Sequence, residues 1–176
     1  MMKNRVEIIE EEAIEEVEQF EEATIDISRV SKTVKGGKSM KFRVLMVVGN
    51  NNGLVGIGLG KSDQIPNAIN KAISSAKREL IKVPVKKNTI PFDVKGREGS
   101  TTVYLAPAVA GTGIIAGGSV RKILEKVGIK DVVAKIYGSH NAVNTARATI
   151  DALNQLQDPV DVAKFRGIPL KQLFGL

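Results

Sequence analysis

The stretch MKFRVLMVVGNNNGLVGIGLG, residues 40–60, decides the fold of the first half of the chain. At its start, apolar residues alternate with Lys41 and Arg43, which predicts a strand with a core face and a basic face. The run 50–53 is rich in Asn and Gly, which tolerate positive φ, and it predicts a turn. After the turn, glycine at every second position of 56–60 leaves a strip without side chains, where a backbone, a helix or a ligand can come close.

The residues on either side complete a first unit. Residues 25–34 predict a preceding strand, with a bulge near Ser28 and Arg29 where the apolar parity changes. Gly36-Gly37 predicts the turn between the two strands. Downstream, apolar residues at helical spacing predict a helix capped by Ser62 or Asp63 and ended by Pro84. Residues 24–84 are therefore expected to form a three-stranded antiparallel sheet with a packed helix.

A second unit follows a short polar linker at 85–88. A hairpin of residues 89–95 and 100–106 is predicted around Gly96–Gly99. The glycine-rich loop 111–118 precedes a predicted helix that ends at Gly128. A strand at 129–137 is predicted next, followed by a last helix that Asn141 can cap. We expect an α/β domain at 89–158 and a basic tail at 159–176, so that the fold class is α+β with two domains.

Charge divides the chain into an acidic start and a basic body. Residues 1–23 contain nine Glu against Lys3 and Arg5, a balance of −7, and are expected to be a helical or disordered extension. The whole chain carries +7, so residues 24–176 carry +14. A body this basic is expected to bind a polyanion, either a nucleic acid or an anionic membrane surface.

Several functional classes are disfavoured by composition. The chain has no Cys and one His, His140, which leaves no thiolate metal site, no cysteine nucleophile and no pair of histidine ligands. No apolar run of about 18 residues predicts a membrane span, and the glutamate-rich start is unlike a leader peptide. The sequence therefore indicates a soluble, cytoplasmic protein without a metal, a cofactor or catalytic residues.

Two glycine-rich motifs keep a nucleotide-binding enzyme open as the alternative. Gly60-Lys61-Ser62 lies between a strand and a helix, but a phosphate loop needs glycine where Val55 stands. Residues 111–116 match the looser dinucleotide fingerprint, and Asp131 lies twenty residues beyond Gly111, near the position of a ribose-binding acid. A hairpin precedes this second motif, however, in place of the parallel strand that opens a dinucleotide-binding fold.

The first hairpin carries the strongest binding signal. Its six cations are expected to be unopposed, because no acid occurs between Asp26 and Asp63. Ser31 and Thr33 add hydroxyls on the face of Arg29 and Lys35, a combination suited to phosphates and ribose hydroxyls. Aromatic residues make up only 4% of the chain, which favours contacts with RNA backbone and shape over base stacking. The six cations are Arg29, Lys32, Lys35, Lys38, Lys41 and Arg43.

Several short motifs occur together in one register between about residues 20 and 170. They are Arg29-Val30-Ser31-Lys32-Thr33-Val34-Lys35-Gly36-Gly37, Val47-Val48-Gly49, Val55-Gly56-Ile57-Gly58, Gly60-Lys61, the loop 111–118, Tyr137-Gly138-Ser139 and Arg147-Ala148-Thr149. In this joint set the chain resembles the bacterial-type small-subunit ribosomal protein five. The acidic extension is not part of the resemblance.

The resemblance implies a first domain similar to a double-stranded RNA-binding module and a second domain with a left-handed β-α-β crossover. It implies a structural constituent of the small ribosomal subunit, without catalysis, that binds small-subunit rRNA and stabilises the head relative to the body. The implied partners are ribosomal proteins four and eight and mRNA near the entry channel. Decoding accuracy would be influenced through the contact with protein four.

Two residue sets are expected to carry these contacts. The rRNA-binding set comprises Arg29, Ser31, Lys32, Thr33, Lys35, Gly36, Gly37, Lys38, Lys41, Arg43 and Lys61. The resemblance further implies a set that binds a partner protein, namely Gly111, Thr112, Gly113, Ile114, Ile115, Gly117, Gly118 and Arg121.

Overall fold

Two four-stranded sheets organise the protein, one in each predicted unit. The computed structural model describes residues 20–85 and 88–173. The strand orders are β1-β2-β3-β4 in the first sheet and β5-β6-β8-β7 in the second. The elements are β1 (Glu21–Val34), β2 (Gly37–Gly49), β3 (Leu54–Ser62), α1 (Ile65–Arg78), β4 (Ile81–Lys82), β5 (Val94–Glu98), β6 (Thr101–Pro107), β7 (Ile114–Ile115), α2 (Gly118–Val127), β8 (Val132–Gly138), α3 (Ala142–Asn154), α4 (Pro159–Arg166) and α5 (Leu170–Leu173).

The long β1–β2 hairpin begins earlier than predicted. Its register runs from Glu21 opposite Gly49 to the turn, so residues 21–23 of the predicted acidic extension pair in the sheet. The predicted bulge near Ser28 and Arg29 is wrong, because the register shifts between Thr24 and Asp26 instead. Residues 1–19 of the extension that was predicted to be helical or disordered lie outside the described residues.

Helix α1 packs on the glycine strip of β3, where the spacing predicted a close approach without specifying what occupies it. A Cβ on Gly56, Gly58 or Gly60 would lie within 2.3 Å of a carbonyl oxygen of the helix, which leaves room for hydrogen alone. The predicted caps are wrong: Ser62 belongs to β3, and the cap position is Gln64, without a side-chain hydrogen bond. Proline at the start of α1 favours this later beginning, because its fixed φ suits the first helical turn.

The first sheet also has a fourth strand that the sequence did not indicate. Helix α1 ends at Arg78, before the predicted end at Pro84. The two-residue strand β4 then pairs with Leu54 and Val55 of β3. The predicted three-stranded sheet with a packed helix is confirmed in its main part and extended by this short edge.

The second sheet is mixed, and its hairpin turns later than predicted. Gly96 lies inside β5, and the turn falls at Gly99–Ser100. Gly96 is needed in the strand because helix α3 packs onto it: a Cβ would lie 2.0 Å from the carbonyl oxygen of Ala148. Strands β7 and β8 are parallel and joined by α2, which is the β-α-β unit that the resemblance implies; its left hand stays a prediction.

The ends of both main helices in this unit agree with the predictions. Gly128 follows α2 with φ +92°, a left-handed conformation that glycine favours. The Asn141 side chain caps α3 by accepting hydrogen bonds from the backbone N–H groups of Val143, at 3.0 Å, and Asn144, at 3.4 Å. The predicted tail contains two short helices, α4 and α5. None of the described helices is long and apolar enough to span a membrane.

One hydrophobic core joins the two units. Leu45, Val47 and Val55 of the first sheet belong to the same buried cluster as Val103 and Ile123 of the second unit. Helix α1 covers the opposite face of the first sheet, where Val44 and Met46 pack. The predicted division of β2 into a core face and a basic face is therefore wrong: residues 37–40 near the turn are exposed on both faces, and from residue 44 onwards both faces of the strand are buried.

Candidate nucleic-acid interface

The far end of the β1–β2 hairpin projects from the body of the protein. All ten residues from Ser31 to Met40 are exposed. At about 3.3 Å per residue, the four strand residues on each side of the turn at residues 35–36 extend roughly 13 Å. No other element of the described part of the chain covers this tip, so its backbone and side chains are available to a large ligand.

The hairpin register distributes its cations over two faces. Residues that pair across antiparallel strands place their side chains on the same face. Arg29, Ser31 and Thr33 share one face, as predicted, and Lys38 joins them opposite Thr33; Lys35 lies in the turn. The other face carries Lys32, Lys41, Arg43 and, across the next strand pair, Lys61.

Most of these cations are available to an anion. Lys41 is the exception, because its Nζ lies 3.4 Å from Oδ1 of Asp63, and the prediction that all six cations are unopposed is wrong at this residue. The Arg43 Nε donates to Ser28 Oγ at 3.1 Å, which orients the guanidinium and keeps its charge. Among the described residues no ion pair involves Arg29, Lys32, Lys35, Lys38 or Lys61.

The turn at the tip gives close access to the backbone. Gly36 has φ +94°, which glycine adopts without strain, and a Cβ at this position would meet nothing within 4 Å. Gly37, where β2 begins, is similarly open. A nucleic-acid backbone can therefore approach the turn between the flanking Lys35 and Lys38.

The two candidate nucleotide loops have a different geometry from the one their motifs require. The Asp131 carboxylate is buried and accepts hydrogen bonds from the backbone N–H groups of Gly111 and Gly113, both at 2.9 Å. A phosphate in this loop would have to displace that internal carboxylate. Lys61 lies within β3, and α1 begins four residues later, so no loop surrounds it as a phosphate loop would.

The residues predicted to bind a partner protein form an exposed edge of the second unit. They run from the loop through β7, which is an edge strand, into the first turn of α2. Thr112, Gly117 and Gly118 are exposed, and Ile115 keeps 55% of its surface accessible. Arg121 pairs through its Nε with Glu125, 3.1 Å away on the same helix. This edge presents apolar and backbone groups and lies in a different unit from the basic hairpin.

Sequence reasoning gave other roles to two acids that shape these surfaces: Asp63 as a helix cap and Asp131 as the acid of a nucleotide site. Asp63 reduces the charge of the hairpin, and Asp131 holds the glycine-rich loop in shape. Both are visible in the sequence as isolated acids beside a basic or glycine-rich stretch, but their partners are set by tertiary contacts. Within residues 20–85 and 88–173, no group of three or more histidine or carboxylate side chains is arranged to hold a metal ion.

Comparison with known proteins agrees with the architecture. Residues 20–84 match the family model "Ribosomal protein S5, N-terminal domain", and residues 96–166 match "Ribosomal protein S5, C-terminal domain". The protein named small ribosomal subunit protein uS5 of Thermotoga petrophila is 51% identical over 157 residues, which cover 89% of this chain and 88% of the relative. The protein of the same name from Fusobacterium nucleatum is 48% identical over 157 residues, covering 89% and 96%. The chain therefore belongs to the ribosomal protein S5 family.

Proposed function

We propose that this protein is a structural constituent of the small ribosomal subunit that binds rRNA chiefly through the β1–β2 hairpin. Membership of a ribosomal protein family agrees with the interpretation of the sequence as a structural component and not an enzyme. The observation that carries the proposal is the exposed ten-residue tip, whose Lys32, Lys35 and Lys38 have no ion pair among the described residues.

The two faces of the hairpin suit contact with structured RNA. Each cation can neutralise a phosphate, and cations on both faces allow the hairpin to enter a groove or a junction and contact RNA on both sides. Ser31 and Thr33 add hydroxyls that can hydrogen-bond ribose 2′-hydroxyls or phosphates. Because one core holds the hairpin base and the second unit together, RNA bound at the tip is positioned relative to the rest of the protein.

The finer roles form the second part of the proposal. The exposed edge from Gly111 to Arg121 would contact ribosomal protein four and so influence decoding accuracy. Ribosomal protein eight and mRNA near the entry channel would be further partners, and the protein would stabilise the head of the subunit relative to its body. The exposure of this edge and its separation from the hairpin support simultaneous binding of RNA and a protein.

The test reverses two tip charges. Lys32→Glu/Lys35→Glu is expected to weaken binding to small-subunit rRNA roughly tenfold or more, because two phosphate contacts are lost and two repulsive charges are added. The slope of log affinity against log salt should become shallower by about 1.4 to 1.8, since each phosphate contact contributes about 0.7 to 0.9. Filter binding over a series of salt concentrations measures both quantities.

The matched control is Lys130→Glu/Lys164→Glu, which changes the net charge equally at exposed positions outside the hairpin. The control is expected to keep the wild-type salt slope. Equal losses of rRNA affinity in the two double variants would contradict the role of the hairpin.

Titration with ATP and NAD tests the alternative that the protein is a nucleotide-binding enzyme. That alternative requires saturable binding with a micromolar dissociation constant.

A further inference from the structure

Within residues 20–85 and 88–173, no helix packs on one face of the second sheet. Helices α2 and α3 cover the other face, where Val103, Leu105 and Val132 are buried. The side chains of the open face alternate with these along the strands and include both tyrosines of the chain. Tyr137 is 55% exposed and Tyr104 is half-buried.

The strand register brings the two tyrosines together. Tyr104 in β6 pairs with Lys135 in β8, and Thr102 pairs with Tyr137, so the two rings are diagonal neighbours on one face. The Cα atoms of such neighbours lie roughly 7 to 8 Å apart, close enough for both rings to contact one ligand. Aromatic side chains on adjacent strands of an open sheet are the arrangement on which unpaired RNA bases stack.

Cations surround the two rings. Lys95 Nζ lies 5.6 Å from the centroid of the Tyr104 ring, and Arg97 and Lys135 are exposed on the same face. The acid beside them, Asp93, accepts a hydrogen bond from the Tyr104 hydroxyl at 3.3 Å. A depression of about 410 Å³ lies between these groups, and its lining residues are Asp93, Lys95, Thr102, Tyr104 and Tyr137.

We propose that this face binds a single-stranded RNA segment, with two bases stacked on Tyr104 and Tyr137 and the phosphates near Lys95, Arg97 and Lys135. Charge complementarity favours this occupant, because three cations face one acid around an aromatic pair. The inference rests on the proposed function in taking RNA as the polyanion, but it concerns a different surface and a different contact, bases instead of backbone. The low aromatic content could not indicate it, since only the sheet brings the two tyrosines together.

The test labels the full chain with 3-fluorotyrosine, which places one fluorine reporter on each ring of the face. The ligands are hexa-adenylate and an abasic hexamer with the same number of phosphates. Both fluorine NMR signals are expected to shift with hexa-adenylate and much less with the abasic strand. Tyr104→Leu and Tyr137→Leu should each weaken hexa-adenylate binding roughly 5- to 100-fold, whereas the Phe variants keep stacking and nearly wild-type affinity.

A second arm separates this inference from the role of the hairpin. Lys32→Glu/Lys35→Glu should retain the fluorine shifts with hexa-adenylate even where its rRNA affinity falls. Equal responses to the two strands, unchanged affinity in both Leu variants, or loss of the shifts in the hairpin variant would each overturn the inference. Fluorine signals that shift with neither strand would also overturn it.

Discussion

Gly58 shows how a single residue positions a helix. A Cβ at this position would lie 1.9 Å from the carbonyl oxygen of Ala72, and Gly60 stands in the same relation to Ala68. The alternate glycines of β3 and the alanines of α1, spaced at four residues, therefore bring the two backbones into direct contact. The glycine spacing predicted a close approach but not its occupant, because a helix, a second backbone or a ligand would each suit the same strip.

Gly58→Ala is therefore expected to destabilise the protein by roughly 1 to 3 kcal/mol, or more, because the added methyl can be accommodated only if strand and helix separate. Urea unfolding followed by circular dichroism measures the change. Gly118→Ala is the control, since a Cβ there would meet nothing within 4 Å, and its effect should stay within about 0.5 kcal/mol. Similar unfolding midpoints for the two variants would contradict this account.

At the scale of elements, polar contacts connect the base of the β1–β2 hairpin to helix α2. The Lys126 Nζ donates to the Glu21 carboxylate at the start of β1, and the Lys122 Nζ donates to the Thr24 carbonyl oxygen at 2.6 Å. The hydrogen bond from Lys126, followed by one from Asn51, lowers the pKa of Glu21 below its ordinary value of 4.5. These contacts connect the base of the β1–β2 hairpin to the second unit.

The lowered pKa gives this connection a pH dependence. A carboxylate with a lower pKa in the folded state contributes stability above its ordinary pKa, and this contribution is lost as the pH falls through the folded value. Glu21→Gln should therefore lower the melting temperature at pH 7, and the difference from wild type should disappear well below pH 4.5.

Thermal melts between pH 7 and pH 3 test this expectation. Glu79→Gln is the control, because Glu79 is exposed and has no ion pair among the described residues. A difference between Glu21→Gln and wild type that stays constant across this pH range would contradict the role of the carboxylate.

At the scale of the whole molecule, the two predicted units behave as one packed body. Leu45 lies in the core that both sheets share, so its loss removes contacts from both units. Leu45→Ala should lower stability by about 2 to 5 kcal/mol while unfolding remains a single transition. Because the chain has no Trp and both tyrosines lie on the second sheet, tyrosine fluorescence reports on that unit alone, whereas circular dichroism reports on both.

Coincident transitions by the two probes would support a single core, and a separate tyrosine transition in Leu45→Ala would contradict it. Ile27→Ala provides a control in the same hairpin. The Ile27 side chain is already 47% exposed, so it buries less apolar surface on folding than Leu45 does. We expect Ile27→Ala to lower the free energy of unfolding by less than about 1 kcal/mol.

Local patterns predicted a large part of the fold and of the candidate site. Period-two alternation located β2 and β3, glycine located the turns at 36 and 53, and Asn141 predicted a cap that is confirmed. The hairpin cations were recognised as a group because they are close in sequence. Each of these signals arises from a few neighbouring residues, and the backbone conformations they favour form without distant contacts.

What the sequence by itself determined is the order of the longer strands and helices and the charge of the hairpin that β1 and β2 form. Only the tertiary structure decided the bulge at residue 25, the pairing of Lys41 with Asp63, the core that the two units share and the proximity of Tyr104 to Tyr137. The physical reason is distance along the chain. Partners twenty or more residues apart are chosen by the packing of whole sheets, and no local preference of either partner specifies the other.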